Sequence, residues 1–162
     1  MTTRILAVCA GNICRSPAAE AAIREAAARR GLSVEVDSAG TGAWYVGSPP
    51  HDESVAAGRR FGLAIDGRAR RINKTDFDRF DMIVVMDRAN LREVTEIAPR
   101  LEDRAKIRLF RTFDPGTDSD EVPDPYGGTD EDYDRAISQV MAAAEGLADS
   151  LASLSAENGS PS

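Results

Sequence analysis

The chemistry this chain can do is concentrated near its start, in the run Cys9-Ala10-Gly11-Asn12-Ile13-Cys14-Arg15-Ser16-Pro17. Successive backbone N–H groups in a tight loop form a nest for an anion. A helix beginning at the end of the loop adds free amide donors and the positive end of a dipole. Gly11 permits close backbone approach, and Asn12 tolerates a left-handed conformation. Arg15 supplies a planar fork that matches two oxygens of a phosphate. Cys9 enters from the strand side, so its sulfur is expected at the floor, facing the centre of the anion. Helix N-termini and arginines lower a thiol from its usual pKa of ~8.5 to roughly 3.5–7.5, and the thiolate is the reactive form. The expectation for Cys9 is in-line attack on phosphorus, with the Ser16 hydroxyl hydrogen-bonding the sulfur so that it leaves again in a second step.

Such a loop needs a strand before it and a helix after it. Ile5, Leu6, Ala7 and Val8 are contiguous and apolar, so Arg4 to Cys9 reads as a buried strand. A helix is expected from Ser16 as N-cap, with Pro17 at the first helical position, to about Arg30, where Gly31 stops it. Further strands are predicted at Val34 to Ser38, Met82 to Met86 and Lys106 to Leu109, and helices at His51 to Phe61 and Arg88 to Ile97. Arg68 to Asp78 reads as a short helix or turn, and Phe110 to Asp130 as a long acidic loop of the kind that often carries function. A last helix from about Glu131 to Leu154 shows an apolar stripe of Tyr133, Ile137, Val140, Met141, Ala144, Leu147, Leu151 and Leu154. Strands alternating with helices imply one α/β domain over residues 1–154, a four-stranded parallel doubly wound sheet of flavodoxin-like type, with a flexible tail at 155–162. Such sheets bind ligands beyond their C-terminal strand ends, where Cys9 stands.

Composition narrows the partners. A chain of 162 residues fits one domain, with 42% hydrophobic and 29% charged residues as in globular proteins. A net charge of −7 argues against nucleic acid and anionic membrane, which need a basic footprint, but leaves room for a local anion site. No run approaches the ~18 apolar residues of a membrane span. The segment Met1 to Val8 lacks the features of a signal peptide, so a cytoplasmic monomer is expected. One histidine and two cysteines do not make an ordinary zinc site, and neither metal nor cofactor is expected. A structural disulfide between Cys9 and Cys14 would close too small a loop to stabilise much.

The run VCAGNICRSPAAEA closely resembles the signature of the low-molecular-weight protein tyrosine phosphatases. The resemblance continues in order through DSAGTGAWYVGSPP, FDMIVVMDRANL and VPDPYGG, which is similar to the family's acid loop. It implies hydrolysis of phosphotyrosine in a protein substrate through a cysteinyl-phosphate intermediate. Cys9 would be the nucleophile, Arg15 the phosphate clamp, and Asp124 the general acid and then base. An Asp beside a bound dianion has its pKa raised, which suits the acid role. The residues alone also offer Asp114-Pro115; the resemblance prefers Asp124 because Tyr126 follows it. It further implies that Asn12 hydrogen-bonds Ser16 and Ser38, that Ile13, Trp44 and Tyr126 form the substrate rim, and that Cys14 forms a reversible disulfide with Cys9. Members acting on phosphoarginine often carry Thr where this chain has Ile13, so Ile13 favours phosphotyrosine. Two departures, Tyr45 after the loop Trp and Gly127 after Tyr126, bear on substrate preference and on regulation of the acid loop.

Other residues receive plainer readings. His51 decorates a helix start, the acids between Asp114 and Asp134 other than Asp124 are solvated surface, and Arg68, Arg70 and Arg71 form a solvated face. Three other functions share the loop. An arsenate reductase of the thioredoxin-coupled kind needs a cysteine pair after Cys14, and none follows. A phosphocysteine carrier lacks the pairing of Arg15 with Asp124, and an inactive phosphoprotein reader would not need all three reactive residue types.

Overall fold

The computed structural model describes residues 1–158. Four parallel strands, β1 (Thr3–Cys9), β2 (Val34–Gly40), β3 (Met82–Val85) and β4 (Ile107–Leu109), lie in the order β2-β1-β3-β4. The chain therefore winds outward from β1 in both directions, and the order reverses beside β1, where open α/β sheets bind ligands. Six helices complete the fold: α1 (Arg15–Arg29), α2 (Asp52–Arg60), α3 (Asp76–Arg79), α4 (Arg88–Ile97), α5 (Leu101–Arg104) and α6 (Asp130–Asn158). A 3-10 turn at Phe110–Phe113 opens what the sequence presented as one continuous loop. The short α5 has no counterpart in the sequence-based expectation; it is a single turn followed at once by β4.

Both sheet faces are covered, so β1 is apolar from Ile5 to Cys9 while its side chains still alternate. Ile5, Ala7 and Cys9 enter a core built with α1 and α6. Leu6 and Val8 enter a second core with Phe77, Ile83, Val85 and Val94. Alanines let α1 lie close on the sheet, with Ala18, Ala19, Ala22, Ala26 and Ala27 buried. The stripe of α6 is buried from Tyr133 to Leu147 apart from the half-buried Met141, but ends sooner than expected, since Leu154 is exposed. Gly146 lies mid-helix in α6 because a Cβ there would overlap the Phe113 carbonyl. Residues 155–158 continue α6, and the rest of the expected tail, 159–162, lies outside the described residues. Among the described residues no helix is long and apolar enough to cross a membrane.

The start of α1 differs from expectation in an informative way. The helix begins one residue before Ser16, with Cys14 as N-cap and no side-chain cap bond. Ser16 is fully buried, and its hydroxyl turns to the Cys9 sulfur instead of to the helix amides. A helix whose first turn is not closed by a side chain keeps its N–H groups available to an anion.

Candidate active site

Cys9 ends β1, and the chain turns through Ala10 to Cys14 before α1 begins. The loop carbonyls are tied to neighbouring segments. Cys9 O accepts from Thr41 N at 2.9 Å, Ala10 O from Gly42 N at 3.0 Å, and Ile13 O from His51 N at 2.9 Å. A trans peptide points its N–H opposite to its C=O, so these ties turn the amides of Ala10, Gly11 and Cys14 toward the interior of the loop. Gly40 makes the arrangement possible. A Cβ there would lie 2.7 Å from Ala10 O and 3.2 Å from Asn12 N, so the phosphate-sized loop rests directly on the backbone of β2.

Asn12 is the one non-glycine residue with positive φ among the described residues, at 58°. Its carboxamide is fully used: Nδ2 donates to Ser16 Oγ at 2.8 Å and to Ser38 Oγ at 3.0 Å, while Oδ1 accepts from Arg70 N at 2.9 Å. Ser16 Oγ lies 3.1 Å from Cys9 Sγ. Since Asn12 already donates to that oxygen, the Ser16 proton can go to the sulfur or to Ala39 O, which lies farther away at 3.4 Å. The hydrogen bonds of Asn12 to Ser16 and Ser38 are therefore present as geometry in this chain.

The Arg15 guanidinium is 3% exposed. Nη1 donates to Asp87 Oδ2 at 2.7 Å and to Val122 O at 2.9 Å. Nη2 has no hydrogen bond among the described residues and stands 3.8 Å from Asp124 Oδ2, directed at the cleft. Burial opposes the charge on Arg15, but Cys9, the Asp87 hydrogen bond and Asp124 outweigh it, and the group is held above its ordinary range. Asp87 is a site residue that sequence reasoning missed. It caps α4 by accepting from Asn90 N at 2.8 Å, and its second oxygen orients Arg15. Its position directly before α4 in FDMIVVMDRANL marked a cap, but nothing local marked the arginine it serves.

The cleft above Cys9 has a volume of about 120 Å³. Its walls include Ile13, Trp44, Tyr45, Asp124 and Tyr126, so both the loop after β2 and the acid loop reach it. Trp44 is 73% and Tyr126 53% exposed, as befits a rim, whereas Ile13 is buried. Tyr45 packs beside Tyr126 with ring centroids 6.3 Å apart. The acid loop is anchored by the fully buried Val122, whose N–H donates to Met86 O at 2.8 Å and whose carbonyl receives Arg15. Of the two Asp-Pro pairs, Asp124 borders the cleft. Asp114 accepts from Gly116 N within its own turn and faces a separate surface groove.

One plainer reading changes. Arg70 is half-buried; its guanidinium forks onto the fully buried Asp76 at 3.0 Å and also reaches Asp37 at 2.9 Å, while its N–H holds Asn12. It braces the loop from behind, whereas Arg68 and Arg71 are exposed as expected. Cys14 is buried beside the loop; burial first, and then Cys9, push its thiol up to about 12, so it is neutral at physiological pH.

Known proteins share this arrangement of chain. The family model for the low molecular weight phosphotyrosine protein phosphatase matches residues 4–158. A low molecular weight protein-tyrosine-phosphatase of Streptomyces coelicolor is 44% identical over 154 residues, covering 91% of this chain and 92% of its own. The human low molecular weight phosphotyrosine protein phosphatase is 38% identical over 143 residues, covering 86% and 90%. Among solved structures, a protein tyrosine phosphatase from Entamoeba histolytica with Hepes in the active site superposes with a TM-score of 0.88 at 32% identity, covering 98% of this chain and 99% of its own. YfkJ from Bacillus subtilis superposes at 0.85 with 36% identity, covering 97% of each chain. With its model matched over nearly the whole chain, and its loop, sheet order and relatives in agreement, this chain belongs to the low molecular weight phosphotyrosine protein phosphatase family.

Proposed function

We propose that the chain hydrolyses phosphotyrosine in protein substrates by two in-line displacements at phosphorus, with a cysteinyl phosphate between them. The observation that carries this reading is the meeting of Cys9, Arg15 and Asp124 on one cleft of about 120 Å³, wide enough for an aryl phosphate and closed below by the loop. The Cys9 thiolate attacks phosphorus as the bond to the phenolic oxygen breaks. Protonated Asp124 donates its proton to that oxygen, so tyrosine leaves neutral. Water then attacks the cysteinyl phosphate, giving its proton to the Asp124 carboxylate, and the S–P bond breaks to regenerate the thiolate. The loop amides and Arg15 Nη2 hold the equatorial oxygens, where charge accumulates in both steps. The Ser16 hydroxyl, 3.1 Å from the sulfur, stabilises it as leaving group.

Removing the proton donor tests this reading. Asp124→Ala is expected to lower kcat/KM on phosphotyrosine and phenyl phosphate by about 10²–10⁴-fold. On 4-nitrophenyl phosphate, whose leaving group needs little help, the loss should be much smaller. Equal losses on all three esters would remove Asp124 from the acid role.

Cys14 has a redox part in the same reading. Mild peroxide oxidises the Cys9 thiolate to the sulfenic acid; attack by the Cys14 thiolate on its sulfur then forms the disulfide and expels hydroxide, which takes a proton from solvent. Only ionised thiol attacks, and Cys14 titrates at about 12. The closure rate is therefore expected to rise with pH across the neutral and alkaline range. Intact-mass measurements should show a loss of two hydrogens that dithiothreitol reverses. Accumulation of Cys9 sulfinic acid without that loss would end the redox assignment.

A further inference from the structure

The only histidine of the chain sits at a junction that the reaction as described does not use. His51 precedes α2, and its N–H holds the Ile13 carbonyl of the phosphate loop at 2.9 Å. Its ring lies between two tyrosines. On one side is Tyr126 of the acid loop, 5.3 Å between centroids and tilted by 49°; on the other is Tyr133 of α6, 6.1 Å away and nearly parallel at 28°. Both distances fall in the range where aromatic pairs attract. Tyr133 is 1% exposed and fixed in the core, whereas Tyr126 is half exposed. The histidine ring thus connects a buried wall to an exposed one. Tyr126 in turn is bonded to the acid itself, because its N–H donates to Asp124 Oδ1 at 3.1 Å, leaving Oδ2 on the side of Arg15. A continuous line of contacts runs from Tyr133 through His51 and Tyr126 to Asp124.

We propose that His51 is a positioning residue for proton donation: its ring, packed between Tyr133 and Tyr126, fixes the turn that aims the Asp124 carboxyl at the leaving oxygen. This rests on the acid role given to Asp124 above. The ring acts by packing, not by charge, so an uncharged aromatic ring should serve in its place.

The test compares His51→Asn with His51→Phe. Asparagine is a favourable helix N-cap and so preserves the start of α2 while removing the ring; phenylalanine preserves the ring. For each, kcat/KM is measured on phenyl phosphate and on 4-nitrophenyl phosphate, with thermal melting to confirm folding. His51→Asn is expected to lower the phenyl-to-nitrophenyl ratio by about three- to tenfold, and His51→Phe to keep it within about twofold of wild type. A purely structural role would shift melting and lower both substrates together, leaving the ratio unchanged; that result overturns the proposal. A ratio that falls equally in both variants also overturns it, since the ring would not be the active feature. Asp124→Ala in the same panel separates the two readings. If it leaves the ratio unchanged, the acid assignment itself has failed. If it lowers the ratio while His51→Asn does not, only the role of His51 is lost.

Discussion

Cys9→Ser is expected to reduce turnover of any aryl phosphate by at least about 10⁴-fold while leaving inorganic phosphate binding close to wild type. The two halves of this expectation come from different parts of the site. A serine hydroxyl is a weak nucleophile unless a base takes its proton. The one side chain hydrogen-bonded to the Cys9 sulfur is Ser16, itself a hydroxyl, already receiving a bond from Asn12. Asp124 is committed to the far side of the cleft, against Arg15. Among the described residues no base is hydrogen-bonded to the position that a serine would occupy. The anion, by contrast, is held by loop amides whose carbonyls are tied to Thr41, Gly42 and His51, and by Arg15, none of which depends on the sulfur. Steady-state rates on 4-nitrophenyl phosphate and calorimetric titration with phosphate read the two halves separately. Residual turnover above a hundredth of wild type would mean that phosphorus is attacked by something other than Cys9.

The order of elements was legible because both layers of helix leave β1 apolar from Ile5 to Cys9, and because Gly31 and Pro99 punctuate the helices. The phosphate loop was legible because its parts are contiguous: strand end, glycine, asparagine, arginine and helix start within one stretch. What escaped reading depends on residues distant in sequence. Asp87 and Val122 orient Arg15 from 72 and 107 positions away, and Arg70 supports Asn12 from 58. No local pattern joins such pairs. Ser16 shows the reverse failure. Its type and its place before Pro17 favour a cap, yet in the structure the hydroxyl is drawn to Cys9 and Asn12, and the helix starts uncapped. Local propensity yields here to the needs of the anion site, which is where a conflict between the two is expected. Arg70 looked like surface because two exposed arginines flank its segment; only the fold brings the fully buried Asp76 against it.

Arg15→Lys is expected to lower kcat/KM on phosphotyrosine by about 10³-fold, with the larger share in kcat. Lysine keeps the positive charge, so a site that needed charge alone would lose little. The geometry here needs more than charge. Nη1 is spent on Asp87 and the Val122 carbonyl, and this pair of bonds is what turns Nη2 toward the phosphate. An ammonium is a single point of donation on a flexible stem. It can satisfy Asp87, at 2.7 Å from the present guanidinium, or reach the phosphate, but it cannot do both as a rigid fork does. Where it pairs with Asp87, the transition state loses a donor worth about 10²–10³-fold; where it reaches the phosphate, Asp87 and Val122 O lose theirs and the acid loop keeps only its other ties, among them Val122 N–H to Met86 O. The transition state, with charge spread over three oxygens, gains more from the fork than bound substrate does, so kcat falls more than KM rises. Thermal melting distinguishes this from unfolding, since the lysine retains a charge beside Asp87 and the fold should lose only a few degrees. Activity within tenfold of wild type would show that Arg15 serves the fold and the loop but not the displacement.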